Sequence, residues 1–504
     1  MNRITIKLVA DQKSRAIKCD KERAMYIGRQ KELELLNGFY EGNECKVACI
    51  RGSLGMGKTT MARHFAEDKD VLFFTAYETT GKQQVSMLGQ QFISETIRAN
   101  GNKSVNKKNI SKMSSMTELP QLLDEITERA TKGKLLVVID RYTNFVKADN
   151  SFNDILVGYV KKQWKDLPVK LLLIGDAYIL MEKQVVGKKA PWKGLIDLDI
   201  ELGAIRYDEA KEFLAYASPA HKAILYGMTG GIPGQLAKVS RVKAEPKEAL
   251  KVIYGGNPED ATLLPEQIMG SELRELSYYN CLLTAMAKGM NRVNQLSAEV
   301  EKPKDVVVPY LNALMSIGIV TKQNAITEES NRKKTRYLIV NTNVIFWYKY
   351  IVPHFDLYME GRFDELWDNY IANDLNDYMQ DVLTRMSREY LETQSDNGNM
   401  PFTIERSGNW WVNDDEAGTT DGFDVVSLGK TKGKSATIFT LCFYDENPVE
   451  IAEIKGLIDK TRQLNREGDV FYVACSNNGF NETAETVAST IKNIILIEME
   501  EMCK

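Results

Sequence analysis

Gly52, Gly55, Gly57, Lys58 and Thr59 fall at the spacing GxxxxGK[ST] in the run Gly52-Ser53-Leu54-Gly55-Met56-Gly57-Lys58-Thr59. This spacing suits one chemistry. Glycines let the backbone wrap a phosphate chain, and the start of the next helix points free N–H groups at it. Lys58 would reach the β- and γ-phosphates, and the Thr59 hydroxyl would bind Mg²⁺. A chance glycine-rich turn would carry the same letters, so the flanks matter. Lys46-Val47-Ala48-Cys49-Ile50 reads as a buried strand, and Thr60-Met61-Ala62-Arg63-His64-Phe65 as a helix. Strand, loop and helix are the setting the motif needs.

Such a site requires a second carboxylate to hold Mg²⁺ through water. Leu135-Leu136-Val137-Val138-Ile139-Asp140 supplies one at the end of an apolar strand. The next residue breaks the pattern. Many ATPases of this type place Glu there to activate the attacking water, and here it is Arg141. A guanidinium stays protonated and cannot serve as a general base. Glu78, after the strand-like run 71–77, and Asp176, after 169–174, are candidate substitutes at the carboxyl ends of strands. Solvated loop carboxylates are the plainer reading of both.

The elements around these residues alternate strand-like and helix-like over 25–240, the signature of a parallel α/β sheet. Strands are expected at 46–50, 71–77, 134–139 and 169–174, apolar enough to be covered on both faces. A chain of 504 residues predicts several domains. Residues 1–24 read as a strand-bearing extension and 25–255 as the α/β domain with a helical lid. The stretch 254–260 is a linker. Helices at 271–287, 292–300 and 304–316, then strands at 318–323 and 335–340, compose a winged helix over 262–345. Residues 346–395 form an aromatic-rich helical connector. Residues 396–504 form a smaller α/β domain, with strands at 423–428, 436–444, 468–475 and 493–498 and a helix near 448–464.

The net charge of −4 gives no general reason for nucleic-acid binding. No apolar run is long enough to span a bilayer, and residues 1–10 have no secretion-signal core. Seven scattered cysteines without a CxxC pair fit reduced thiols in a cytoplasm. His64, His221 and His354 read as surface or packing residues.

Several runs resemble archaeal-type AAA-like ATPases, which are related to the STAND NTPases. Tyr26-Ile27-Gly28-Arg29-Gln30-Lys31-Glu32-Leu33 resembles their GRxxEL entry. Thr229-Gly230-Gly231-Ile232-Pro233 is similar to their TGGxP motif at the lid. The run 337–347, ending in Phe346-Trp347, resembles the signature that closes the winged helix, and Cys475-Ser476-Asn477-Asn478-Gly479-Phe480 resembles fSxxGF. The resemblance implies an ASCE-type P-loop domain with lid, a winged helix and a C-terminal restriction-endonuclease-like domain, with ATP or ADP and Mg²⁺ as cofactors. It implies nucleotide contacts at Gly28 and Arg29, at Gly52, Gly55, Met56, Gly57, Lys58, Thr59 and Thr60, and at Gly231 and Pro233. Thr59 and Asp140 would hold the metal. Three positions depart from the family: Arg141 for Glu, Asp176 for a small polar sensor, and Leu195 for the Arg of a PLYGR-like segment. All three touch hydrolysis, while Lys58, Thr59 and Asp140 remain.

A restriction-type nuclease would need an acid and a base on the strand after Asp424, and that strand reads Leu441-Cys442-Phe443. Glu453-Ile454-Lys455 falls in an expected helix, as a solvated face. The candidate recognition helix from Lys304 to Leu314 lacks an Arg to read guanine. Ten lysines and arginines face eight acids over 262–345, clustered at Arg332, Lys333, Lys334 and Arg336 on the wing. Trp410-Trp411 is expected to send one ring inward. The leading expectation is an ATP-binding switch or weak ATPase. The alternative is a DNA-binding or scaffold protein working through the winged helix, with a structural or vestigial nucleotide site. A protein partner at the winged helix or C-terminal domain is open in both.

Overall fold

The computed structural model describes residues 26–99, 111–113, 115–255, 265–270, 272–326, 335–414, 419–431, 433–462 and 468–504. The expected strand within 1–24, linker residues 256–260 and three of the wing cations (Arg332, Lys333, Lys334) lie outside the described residues.

One parallel sheet contains β1 (Lys46–Arg51), β2 (Val71–Thr75), β3 (Leu135–Asp140), β4 (Val169–Gly175) and β5 (Leu198–Glu201), in the order β2-β3-β4-β1-β5. Alternation sends Ala48, Ile50, Phe73, Val138 and Leu172 to one face, against α1 (Gln30–Tyr40) and α2 (Lys58–Phe65). Val47, Cys49, Phe74, Val137 and Leu171 face the other way, against α3 (Gly81–Ala99), α4 (Leu119–Ala130), α5 (Tyr142–Ala148) and α6 (Ser151–Lys161). Burial on both faces is why these strands read as near-continuous apolar runs. The expected strand 71–77 ends at Thr75. The edge strand β5 escaped the sequence reading because Leu198-Asp199-Ile200-Glu201 buries only Ile200 well. Its acids pair instead with Arg51, at 3.1 Å from Asp199 and 2.7 Å from Glu201.

The region expected as a lid contains helices α7 (Tyr207–Phe213), α8 (Pro219–Thr229), α9 (Pro233–Val242) and α10 (Pro246–Tyr254). Three open on proline, whose fixed φ and missing N–H suit a first helical position. Next come α11 (Ser277–Ala287), α12 (Val293–Glu299) and α13 (Lys304–Ser316), then the antiparallel pair β6 (Val320–Asn324) and β7 (Thr335–Ile339). The helix expected from 271 starts later because Glu275 takes a left-handed φ of 55°. Helix α14 (Thr342–Phe346) leads through shorter turns to α15 (Leu375–Asp396). Phe346, Trp347, Tyr348 and Tyr350 are buried there, and the Phe346 ring stacks 5.8 Å from Tyr254.

The C-terminal sheet runs β12-β11-β10-β9-β8. Its strands are β8 (Thr403–Asp414), β9 (Thr419–Thr431), β10 (Lys434–Phe443), β11 (Asp469–Ser476) and β12 (Ile494–Glu498), with helices α16 (Ile451–Arg462), α17 (Glu482–Thr490) and α18 (Met499–Cys503). Strand β8 was not anticipated. Irregularities at Ile404/Arg406 and Gly408/Trp410 break its alternation. Both Trp410 and Trp411 are buried, not one, because the β6–β7 unit covers the sheet here. Arg336 lies 4.1 Å above the Trp411 ring, and Ile326 N–H donates to the Asn409 carbonyl at 3.0 Å. Helix α18 reaches back to the lid, where the Cys503 thiol and the Tyr207 hydroxyl are 2.8 Å apart.

Asn341 and Asn343 join α14 to the lid. The Asn341 amide donates to the Gly230 carbonyl at 3.0 Å, and the Asn343 amide to the Met228 carbonyl at 2.7 Å and the Tyr254 hydroxyl at 2.9 Å. Asn343→Ala would leave the Met228 carbonyl and the Tyr254 hydroxyl only their long bond to each other at 3.4 Å, at a cost of about 1–3 kcal/mol. The expected result is a lower urea midpoint for the lid transition. An unchanged midpoint would show that water or repacking replaces the amide.

Candidate nucleotide-binding site

The loop after β1 curls into the N-terminus of α2, with Gly57 at the cap in a left-handed conformation (φ 80°). A side chain there would be strained, which fits the fixed glycine of the motif. The Lys58 ammonium donates to the carbonyls of Gly52 at 2.7 Å and Ser53 at 2.8 Å. Burial pushes its pKa down to about 8, against the pull of Asp176 and Asp140. The Thr59 hydroxyl donates to Asp140 Oδ1 at 3.0 Å, and the Arg141 N–H donates to the same oxygen at 3.0 Å. Burial raises the Asp140 pKa, and these two bonds oppose the rise. Asp176 Oδ1 accepts from the Thr143 hydroxyl at 3.0 Å.

These groups line a cavity of about 450 Å³ at the carboxyl ends of β1, β3 and β4. Its polar end contains Gly55, Met56, Gly57, Lys58, Thr59, Thr60, Asp140, Arg141 and Asp176. Its apolar end contains Tyr26, Ile27, Ile205, Phe213, Pro233 and Ala237. Tyr26 is itself stacked on His64, with centroids 4.3 Å apart. Glu78 is exposed beyond β2 and outside this lining, so of the two candidate bases the fold brings only Asp176 to the cavity. Strand β2 ends at Thr75, before Glu78.

Arg29 lines the cavity but is tied down. Its guanidinium donates to the carbonyls of Gly203 and, at 3.4 Å, Met56, and meets Glu32 at 3.1 Å. Its N–H donates to Glu209 Oε1 at 2.8 Å. It therefore clamps the P-loop to the segment after β5 and forms a fixed part of the cavity wall. Gly28, Gly52 and Gly231 shape the wall without lining it. Gly231 has φ 69°, and a Cβ there would run into the Ile205 carbonyl. That close approach lets Ile205 N–H donate to the Gly231 carbonyl at 2.9 Å. Next to Pro233, Gly234 N–H donates to the Gly55 carbonyl at 3.0 Å, so the lid is bonded to the loop. Leu195 packs against the apolar core beside the sheet.

Phe213, Ala237 and Glu209 carry no motif and were not anticipated. Tyr26 and Ile27 directly precede Gly28 and could have been read from that position. The oxygen pair of Thr59 and Asp140 is of the hard-donor type that Mg²⁺ prefers, so these residues fit that cation.

Residues 26–239 match the family described as an ATPase domain predominantly from Archaea. The chain carries an archaeal-type P-loop ATPase domain. Residues 347–454 match a second family, described as archaea bacterial proteins of unknown function. An uncharacterized protein of Methanocaldococcus jannaschii is 25% identical over 415 residues, covering 82% of this chain and 86% of that protein. The Walker-type ATPase of Pyrococcus abyssi superposes with a TM-score of 0.51 at 18% identity, covering 65% of this chain and 97% of that one. The ORC2 protein of Aeropyrum pernix gives a TM-score of 0.43 at 15% identity, covering 70% and 97%. The part of the chain that superposes thus shares the fold of the Pyrococcus abyssi Walker-type ATPase.

The depressed Lys58 pKa has a measurable consequence if a phosphate enters this cavity. A phosphate favours the ammonium and raises its pKa, so binding above about pH 8 takes up a proton. Affinity should be flat in this term below that pH and fall by up to roughly tenfold per pH unit above it. Calorimetry at about pH 9 in two buffers of different ionisation enthalpy reads the uptake. A buffer-independent heat would mean that Lys58 does not meet the phosphate.

Proposed function

We propose that this chain binds ATP with Mg²⁺ and acts as a nucleotide-dependent switch or weak ATPase. The supporting observation is a continuous line of bonds leading from the P-loop to the C-terminal half. Gly55 is bonded to Gly234, Gly231 to Ile205, and Gly230 to Asn341. On the same lid, the α15 carboxylate of Glu389 accepts from Tyr207 N–H at 2.8 Å and from the Tyr226 hydroxyl at 3.0 Å.

In this reading the polar end of the cavity takes the phosphates. Lys58 exchanges its carbonyl partners for phosphate oxygens, and Thr59 and Asp140 hold Mg²⁺, which neutralises phosphate charge. The apolar end takes the base. Arg141 leaves no general base beside Asp140, and Asp176, held by Thr143, is the remaining carboxylate at the cavity. Residues 262–345 serve as a winged helix. Residues 396–504 serve as a restriction-endonuclease-like domain without the cleavage machinery, since the Asp424 carboxylate accepts from Cys442 N–H at 2.8 Å beside Leu441 and Phe443. The cellular setting is cytoplasmic. No helix among the described residues is long and apolar enough to cross a membrane. The DNA-binding alternative draws no support from Arg336, which is spent on Trp411.

ATP and ADP calorimetry with Mg²⁺, followed by phosphate release on the same sample, tests this function. Binding with negligible turnover is expected, and Lys58→Ala should abolish binding. Unchanged affinity in that variant would overturn the site assignment, and fast turnover would overturn the switch. Glu389→Ala tests the line of bonds. In the wild type, a non-hydrolysable ATP analogue should slow hydrogen exchange in both α9 and α15. In the variant the protection should stop at the lid. Absence of protection in α15 of the wild type would mean that the two halves are not coupled.

A further inference from the structure

Arg141 does more than remove a base. It ends β3 in a left-handed conformation (φ 54°, ψ 46°) and caps α5. This backbone is rare for a residue with a Cβ, and nothing in the turn requires a long cation. Its N–H is committed to Asp140, but among the described residues its guanidinium makes no hydrogen bond or ion pair. The residue is exposed and lines the cavity together with Lys58, Thr59, Asp140 and Asp176. The other arginine of the cavity, Arg29, is buried and bonded to Glu32 and two carbonyls. The uncommitted guanidinium at this site is therefore the one standing beside the carboxylate at the metal end.

We propose that Arg141 binds the terminal phosphate of a nucleoside triphosphate and so distinguishes it from a diphosphate. The proposal rests on the reading of the cavity as an ATP site. Three arguments carry it. A planar guanidinium matches phosphate oxygens in pairs and stays charged at any physiological pH. With Arg29 paired to Glu32, Lys58 and Arg141 are left to balance Asp140 and Asp176, whereas a Glu at position 141 would leave Lys58 alone against three carboxylates. The third phosphate also brings further negative charge to the metal end, where Arg141 stands. The substitution that slows hydrolysis thus also holds the unhydrolysed ligand, which is the behaviour a switch needs.

The test is calorimetry with Mg²⁺ on the full chain, comparing ADP with the β,γ-imido analogue of ATP. Arg141→Asn removes the cation while Asn tolerates the left-handed backbone, and Arg141→Lys keeps a cation without the fork. The wild type should prefer the triphosphate. Arg141→Asn should lose about 10- to 100-fold in triphosphate affinity, the range of a charge-assisted bond, with ADP affinity within about twofold of wild type. Arg141→Lys should recover part of the loss. Equal losses for both nucleotides, or no loss for either, would overturn the role of Arg141 and leave the ATP site standing. A wild type that binds neither nucleotide would overturn the ATP site and the Arg141 role together.

Discussion

The carboxylate of Glu389 is the point on which the arrangement turns. It accepts from Tyr207 N–H, the Tyr226 hydroxyl and Arg385 Nε, which belong to α7, α8 and α15. Arg206, next in the same segment, donates to the Glu389 carbonyl and to the Thr393 hydroxyl. A partly buried carboxylate is costly without partners and well placed with these. The segment 203–207 that it holds also receives Arg29 at the Gly203 carbonyl and supplies Ile205 N–H to Gly231. One wall of the cavity is thus positioned by a helix far along the chain. Removing the carboxylate would leave Tyr207 N–H and Arg385 Nε without this acceptor and the Tyr226 hydroxyl with only its 3.4 Å bond to the Ile205 carbonyl.

How much of this was legible follows from where each force acts. The turn from Gly52 into α2 was readable because left-handed backbone at Gly55 and Gly57 demands glycine at fixed spacing, and Asp140 because it ends an unbroken apolar strand. Strands β1 to β4 were readable because burial on both faces leaves unbroken apolar runs. The edge strand β5 was hidden by its charged alternation, and β8 by its irregularities. The apolar end of the cavity was mostly hidden too, since Phe213 and Ala237 come from helices whose only local signal is amphipathic. Glu389 had no signal at all: it is one acid among several on α15, and its value arises from Tyr207 and Tyr226. Glu78 illustrates the opposite error, in which a strand end was placed correctly in outline but two residues too far along.

The C-terminal half shows how packing redirects surface chemistry. Read alone, Arg336 is one of a basic cluster suited to phosphates. In the fold it covers the Trp411 indole, where burial lowers its pKa to about 10. Asp424 is likewise a candidate metal ligand by sequence, yet its carboxylate is hydrogen-bonded to the neighbouring strand. The β6–β7 unit and the C-terminal sheet share one apolar cluster that includes Ile326, Trp410 and Trp411. Any movement of the hairpin therefore carries the sheet with it, or exposes two tryptophans.

The contact between Cys503 and Tyr207 bears on how the molecule is made. These residues are 296 positions apart in sequence. A ribosome releases the chain from its N-terminal side, so the sheet and P-loop emerge complete while α15 and α18 are still unsynthesised. Through that interval α7 and α8 lack the surfaces that cover Tyr207 and Tyr226. The cavity would thus be assembled in two stages during synthesis, its P-loop side early and the wall at Tyr207 only after α18 has emerged.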